Sequence, residues 1–207
     1  MTIDPILFRG DVDPAFVERA REHGRVAWDL ETTGLDWSKD VIGTCQLAVG
    51  SDVAVVQVTG AGVPIRLRRL LADEAVLKVF HHAPFDLRFM SHSWEVDAAN
   101  VACTKIASKV VEPGLAPRAY SLQPVLGRHL GLVIDKGQQL SDWTRARLSD
   151  EQLAYAVTDV QHLLQLFDVL AAKAEAAGVD GLLRASYGYL PVRVGLDLRG
   201  VGDVYTY

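Results

Sequence analysis

Two acidic residues stand one residue apart at the end of an apolar segment, VAWDLETTGLDW, residues 26–37. Successive side chains of a β-strand point to opposite faces, so a strand here places Asp29 and Glu31 on one face and Trp28 and Leu30 on the other. Neighbouring carboxylates repel each other, and solvation, a proton or a cation must offset the repulsion. The pair therefore fits either a metal site or a solvated strand end before the Thr-Thr-Gly turn.

Two more acids lie in apolar surroundings further along the chain. Asp86 falls in the first turn of a predicted helix in HHAPFDLRFM, where an acid that helps to cap the helix is the alternative interpretation. Asp159 lies in LAYAVTDVQHLLQLF, four residues after Tyr155 and on the same helical face. An exposed position on an amphipathic helix is the alternative for Asp159, although most of its neighbours are apolar.

The elements that would position these residues form a pattern of strands first and helices later, which predicts an α/β domain with a mixed sheet. Asp13 and Gly24 bracket the first helix as its cap and its stop, and Ser149 with Gln152 predicts a capping box. The predicted strands are 26–31, 41–49, 52–58 and 77–82, and the predicted helices are 14–23, 64–73, 84–92, 104–111, 121–131 and 149–177.

Composition limits the functional classes. The 207 residues are 49% hydrophobic, yet no apolar run reaches the roughly 18 residues of a membrane span, and no signal peptide is evident at the start. We therefore expect a cytoplasmic protein that does not interact with membranes. A net charge of −5 argues against non-specific binding of long nucleic acid, and Cys45 and Cys103 are predicted to be buried thiols.

In this order and spacing, the segments DLETTGL, HHAPFDL and YAVTD resemble the three motifs of the DEDD superfamily of 3′-5′ exonucleases, in the subclass whose third motif carries tyrosine. The resemblance implies an RNase H-like exonuclease fold, with a mixed five-stranded sheet and helices on both faces. It also implies that the catalytic residues are Asp29, Glu31, Asp86, Tyr155 and Asp159, of which the four acids bind metal.

Other segments narrow the resemblance. CTKIASKVV, IDKGQQLSDW and LSDEQLAYAVTDV are similar to the ribonuclease D-like branch, and LFRGD and YLPVRVGLDLRGVGDVY are similar to the nanoRNase C group. That group implies short single-stranded RNA as the substrate, to which DNA is the alternative, and a ring-like homo-oligomer that could be an octamer. We expect a single exonuclease domain over residues 1–190, and an extended arm over 191–207 packed on the domain or at a subunit interface.

The resemblance also implies a mechanism with two divalent ions, Mg²⁺ or Mn²⁺, about 3.5 to 4 Å apart. Asp29 would bridge both ions, Glu31 and Asp159 would complete the site of the ion that activates water, and Asp86 would hold the second ion through its water shell. Tyr155 would orient the attacking water, because a phenol with a pKa near 10 is a poor base at neutral pH. The product would be a nucleoside 5′-monophosphate.

Several residues are candidates for contact with the substrate. Leu35 is expected either to wedge against the terminal bases, as the resemblance implies, or to fold back onto the core. Trp143 is expected to anchor the core. The polar candidates in family-like segments are His82, Lys105, Ser108, Lys136, Gln138 and Gln139.

The leading functional hypothesis is a 3′-5′ exoribonuclease, a phosphodiester hydrolase that clears short RNA down to dinucleotides. The alternatives are ribonuclease D-like trimming of longer RNA or DNA 3′ ends, and a catalytically inactive module that binds nucleic acid. Retention of all four acids argues against the inactive module, because a binding module does not need a repulsive carboxylate cluster.

Overall fold

The computed structural model describes residues 4–58, 60, 62–134, 137–138 and 140–206. Within these residues six strands form one sheet: β1 Ile6–Arg9, β2 Arg25–Thr32, β3 Ile42–Val49, β4 Asp52–Gln57, β5 Leu77–Phe80 and β6 Val101–Cys103. The helices are α1 Pro14–His23, α2 Ile65–Ala72, α3 Ala83–Trp94, α4 Thr104–Val111, α5 Leu122–Leu130, α6 Asp150–Gln161, α7 Leu163–Ala176 and α8 Asp180–Leu198, with a short 3-10 helix at Pro117–Tyr120.

The sheet is mixed, with strand order β1-β4-β3-β2-β5-β6. β2, β3 and β4 form an antiparallel meander, whereas β1 joins β4 in parallel and β5 and β6 extend the sheet in parallel on the other side. β2 is consequently an interior strand, hydrogen-bonded on both sides. Interior position fixes its register, and register decides which side chains of β2 share a face.

Each face of the sheet is covered. On one face Trp28 and Leu30 join the largest core cluster, which also contains buried side chains of α1, α2 and α3. On the other face Ala27 packs with Val157 and Val160 of α6. The predicted α/β fold with helices on both faces is confirmed. None of the helices that the structure describes has both the length and the apolar character needed to cross a membrane.

Several local predictions are confirmed. The Asp13 carboxylate accepts a 2.7 Å hydrogen bond from the backbone N–H of Phe16, and Gly24 ends α1 in the left-handed conformation. The Ser149 side chain and Gln152 form the reciprocal capping box at the start of α6. Cys45 and Cys103 are buried free thiols.

The predicted strand number is wrong by one, since the sheet has six strands rather than five. The sequence patterns also did not indicate β1 and β6, which have only four and three residues and lie at the two edges. So short a strand carries too little alternation to be recognised, and its pairing partner is distant in sequence.

The predicted helix over 149–177 is interrupted at His162, which separates α6 from α7. No glycine or proline marks this break; the two helices instead pack against different clusters, Val157 with the sheet and Leu166 with α4 and α5. The extended arm expected from residue 191 is also wrong over 191–198, which belong to α8 despite Pro191. Tertiary packing overrides the local helix-breaking signal there.

The segment that follows α5 approaches β3 very closely. A Cβ atom added at Gly43 would lie 2.8 Å from both Cβ and the carbonyl oxygen of Trp143, whose side chain is fully buried. Only glycine allows β3 and this segment to make that contact.

We expect Gly43→Ala to lower the free energy of unfolding by about 1–3 kcal/mol, because the backbone around Trp143 must move. Denaturant unfolding measures this, with Gly188→Ala as the control. A Cβ at Gly188 in α8 meets nothing within 4 Å, so that change should be neutral or stabilising. Equal stabilities for the two variants would contradict the close contact.

Candidate metal centre and active site

Two of the acids come from the interior strand. Asp29 and Glu31 project from the same face of β2, opposite to Trp28 and Leu30, as the strand period requires. Glu31 is only 9% exposed. A buried strand therefore presents a carboxylate pair to a cleft.

Asp86 reaches the same cleft from α3. β5 pairs with β2 only as far as Ala27, so the chain leaves the sheet at Phe80 and α3 brings Asp86 beside the unpaired side of β2. His82 makes the turn with a φ of 87°, a conformation that non-glycine residues rarely adopt. Strain of this kind is typical of functional sites.

Asp159 and Tyr155 come from α6, which packs across β2, β3 and β4. The Tyr155 side chain hydrogen-bonds to Asp159 one turn further along the helix. Its ring lies 5.9 Å from the ring of Trp143, between centroids, and Trp143 is only 1% exposed. Trp143 is thus a core anchor, as predicted, and it supports the ring of Tyr155.

The structure brings the predicted acids together. Carboxylate oxygens of Asp29, Glu31 and Asp159 all lie within 4.8 Å of one another. Asp86 is not part of that tight group, but it lines the same cleft and is close enough to raise the pKa of Asp29. The alternatives of a solvated strand end for the pair and an exposed helix position for Asp159 are wrong, since Glu31 and Asp159 are each 9% exposed.

Electrostatics in the cleft disfavour charge on these acids. Burial, followed by the charges of Asp86, Asp159 and Glu31, raises the pKa of Asp29 well above its usual range. Burial and the charges of Asp159 and Asp86 raise the pKa of Glu31 to about 9. Burial also raises the pKa of Asp86, although hydrogen bonding from its own backbone and that of Leu30 opposes the shift.

Tyr155 is neutral throughout the physiological range. Burial is the largest cause that raises its pKa, and the charges of Asp159 and Glu31 add to the shift. The phenol therefore keeps its proton and can donate a hydrogen bond.

The donor set suits a hard divalent cation. Carboxylate oxygens are the ligands that Mg²⁺ and Mn²⁺ prefer, and three of them converge from two separate elements. A bound cation would relieve the repulsion that contributes to the raised pKa values of Asp29 and Glu31. The residues present therefore fit a divalent metal site.

The cleft around the acids has a volume of about 420 Å³. Among the predicted substrate residues, Leu35, His82 and Lys105 line it. Leu35 is 84% exposed, so the alternative of a leucine folded onto the core is wrong. Ser108 is fully buried and does not line the cleft, and Gln138 is half-buried and also absent from its lining. Lys136 and Gln139 lie outside the described residues.

The turn that carries Leu35 is closely packed. Asp40 accepts hydrogen bonds from the backbone N–H of Asp36 and the hydroxyl of Thr33. A Cβ at Gly34 would overlap the Asp40 carboxylate at 2.4–2.7 Å, so a larger residue there would displace the Asp40 side chain from these hydrogen bonds.

Sequence reasoning missed several side chains of the cleft wall, including Phe85, Ser121, Leu140 and Ser141. Phe85 adjoins Asp86, and that proximity was a usable signal. Leu140 is an apolar residue within the polar segment GQQLSDW, and it is 98% exposed. Ser121 precedes α5 as its capping residue, and nothing in the sequence around it indicates a place in the cleft.

Comparisons with known proteins identify the family of this chain. A family model described as 3′-5′ exonuclease matches residues 14–175, more than half of the chain. Ribonuclease D of Gluconacetobacter diazotrophicus is 31% identical over 177 residues, which are 84% of this chain and 44% of that protein. The chain thus spans about half the length of the curated relatives it matches.

Solved structures match the fold. NrnC of Brucella melitensis is 32% identical with a TM-score of 0.89, and the match covers 98% of both chains. Further structures of that protein contain bound Mg²⁺ or pGG. Escherichia coli RNase D is 21% identical with a TM-score of 0.81, over 93% of this chain and 51% of that one, and supports the fold alone. This chain therefore belongs to the 3′-5′ exonuclease family, in its ribonuclease D-like branch with an NrnC-like fold.

Proposed function

We propose that this protein is a metal-dependent exonuclease that removes nucleoside 5′-monophosphates from the 3′ end of short RNA, down to dinucleotides. The observation that carries the proposal is the convergence of carboxylate oxygens from Asp29, Glu31 and Asp159 within 4.8 Å, with Tyr155 hydrogen-bonded to Asp159. The structure of Brucella melitensis NrnC with pGG supports a short substrate.

In this proposal two ions, Mg²⁺ or Mn²⁺, are held by the four acids. Asp29 of β2, whose pKa is raised by the charges of all three other acids, would contact both ions. Glu31 and Asp159 would complete one site, and Asp86, outside the tight group, would hold the other through water. When bound, such ions make water nucleophilic near neutral pH and stabilise charge on the phosphate.

Tyr155 would orient the attacking water. Its phenol stays protonated, so it donates a hydrogen bond rather than removing a proton. Leu35, exposed at the mouth of the cleft, would contact the terminal bases, and His82 and Lys105 would lie near the substrate phosphates.

We also propose that the protein forms a homo-oligomer. Exposed apolar side chains near the end of α8 and after it support this: Val192, Val201, Val204 and Tyr205. Native mass spectrometry with and without residues 199–206 measures the effect, and an unchanged mass would contradict a role for this segment.

The function is tested with 5′-labelled RNA and DNA of two to about twenty nucleotides, with Mg²⁺, Mn²⁺ or EDTA. We expect stepwise shortening from the 3′ end, with the highest rate on the shortest RNA, and no reaction in EDTA. Asp159→Asn should lower kcat by at least about 100-fold, because it removes a metal ligand. Asp150→Asn, on the exposed side of the same helix, is the control. Full activity of Asp159→Asn would contradict the proposed function.

Tyr155→Phe should lower kcat by about 100-fold with little change in KM, because the variant loses a hydrogen bond that orients water. The pH profile of its residual activity should match that of the wild type, since the phenol does not titrate in this range. Tyr189→Phe, which removes a buried hydroxyl without a hydrogen-bond partner among the described residues, is the matched control. A shifted pH profile would instead assign Tyr155 as a base.

Metal binding should become more stabilising as pH rises. The carboxyl of Glu31 keeps its proton in the metal-free folded state up to a pKa of about 9, against 4.5 in the unfolded chain. Between these values the folded state binds more protons, so in EDTA the free energy of unfolding falls as pH increases. A divalent ion binds the ionised acids and offsets that loss.

The measurement is the melting temperature with and without Mn²⁺ at pH 5.5 and pH 8.5. We expect a larger stabilisation by Mn²⁺ at pH 8.5. Glu31→Gln should flatten the slope in EDTA, whereas Asp150→Asn should leave it unchanged. A stabilisation that is equal at both pH values would contradict buried, proton-competing ligands.

A further inference from the structure

Three arginines cluster at the edge of the sheet that carries β1. Arg9, Arg145 and Arg147 are all exposed, and within the described part of the chain none of them forms an ion pair. We call these three residues the arginine patch. Asp142 is close enough for Arg145 to lower its pKa, but its carboxylate is already hydrogen-bonded by Thr144. In a chain of net charge −5, three cations without paired acids at one place call for an anionic ligand.

The segment that carries the patch is held by the strand ends. Arg9 Nη2 donates a 2.7 Å hydrogen bond to the carbonyl oxygen of Ala146, and Gln57 Nε2 donates a 2.8 Å hydrogen bond to that of Arg145. These contacts border an open pocket of about 400 Å³. Arg147 lines a neighbouring hollow beside Gln57, together with Asp150. The backbone is therefore fixed before any ligand binds, which lowers the entropy cost of binding.

The patch lies on the same face of the sheet as the acids. Glu31 pairs with Thr44, Thr44 pairs with Gln57, and Gln57 pairs with Arg9, so these four residues form one row across the sheet. Residues opposite one another in a sheet point to the same face. Three strand spacings of about 4.8 Å separate the first and last backbones by roughly 15 Å.

One segment connects the two places. Leu140 and Ser141 line the metal cleft, and Thr144 and Arg145, only a few residues later, line the cavity beside the patch. Trp143 between them is buried against β3 and α6 and anchors both ends. Thr44 in the row is fully buried, so a strand that leaves the cleft would cross the exposed side of this segment, where Arg145 and Arg147 lie.

We propose that the arginine patch binds the phosphates of RNA upstream of the nucleotide being removed. This inference rests on the proposed function for the position of the 3′ end. At about 3.4 Å per stacked nucleotide, roughly 15 Å corresponds to four or five nucleotides. Strands of about five or more nucleotides reach the patch, whereas di- and trinucleotides are held by the cleft alone. Guanidinium groups suit this role because one guanidinium can donate two parallel hydrogen bonds to two oxygens of the same phosphate.

The position of the patch favours RNA over an acidic surface of a second copy. It shares the face of the acids, and its supporting segment also forms the wall of the cleft. An interface between copies would need neither feature.

The test measures the affinity of RNA of 2, 3, 6, 8 and 12 nucleotides in Asp159→Asn protein, which keeps the substrate intact. Arg145→Glu with Arg147→Glu should weaken binding of the 8- and 12-mers at least tenfold and change binding of the 2- and 3-mers less than twofold. The slope of log affinity against log salt for the 12-mer should decrease by about 1.4, or about 0.7 per lost phosphate contact. Both hydrogen bonds of the segment use backbone carbonyls of residues 145 and 146, so the substitutions leave them in place.

The control is Arg68→Glu with Arg69→Glu, which changes the net charge equally at two arginines of α2 that have no ion pair among the described residues. Similar losses in this control, or equal losses at every RNA length, would overturn the proposal, because they indicate a general charge effect. A reduced native mass with unchanged RNA affinity would overturn it in favour of an interface between copies. Binding is read without turnover, so a wild-type protein that failed to hydrolyse RNA would contradict the proposed function but not this result.

Discussion

Mutual repulsion among buried carboxylates is the constraint on which this structure depends. Burial raises the pKa values of Asp29, Glu31 and Asp86, and neighbouring charge adds to the shift at Asp29 and Glu31, so the cleft resists ionisation unless a cation is bound. A fold selected only for stability would not collect these groups. The free-energy cost of burying them together is explained if a divalent ion offsets it. The pKa shifts and the proposed metal chemistry then have the same cause, the clustered carboxylates.

The architecture supplies the rigidity that such a cluster needs. An interior strand fixes Asp29 and Glu31, the early end of the β2–β5 pairing leaves room for Asp86, and a firmly capped α6 brings Asp159. Trp143, inserted where only Gly43 leaves space, supports Tyr155 from behind. Three separately packed elements thus place the four acids, and such rigid support holds a site to the tolerance that catalysis requires.

The same segment links catalysis to the reach of the substrate. Residues 140–147 form one wall of the cleft and continue to the arginine patch, and the side chains of Arg9 and Gln57 fix their far end by hydrogen bonds to backbone carbonyls. This arrangement lets a short strand use the cleft alone and gives a longer strand a second attachment. The length of RNA that gains this second attachment would then depend on the distance from the cleft to the arginine patch rather than on contacts with bases.

Much of this could be predicted from the sequence. Strand alternation placed Asp29 and Glu31 on one face, and the capping residues Ser149 and Gln152 fixed the start of α6. The order of the three motifs then linked Asp29, Glu31, Asp86 and Asp159 in one predicted site. Local patterns could not predict β1 and β6, the break at His162 or the helical course of residues 191–198, because long-range packing decides each of them. Leu140 and the arginine patch were missed for the same reason: their meaning depends on neighbours far away in the chain.

The central claim is that carboxylates from β2, α3 and α6 together hold divalent ions. Anomalous diffraction from crystals soaked in Mn²⁺ tests it directly. The account predicts anomalous peaks in the cleft, with one ion bound by Asp29, Glu31 and Asp159 and a second on the side of Asp86. An empty cleft at saturating Mn²⁺, or peaks only at other surface acids, would contradict it.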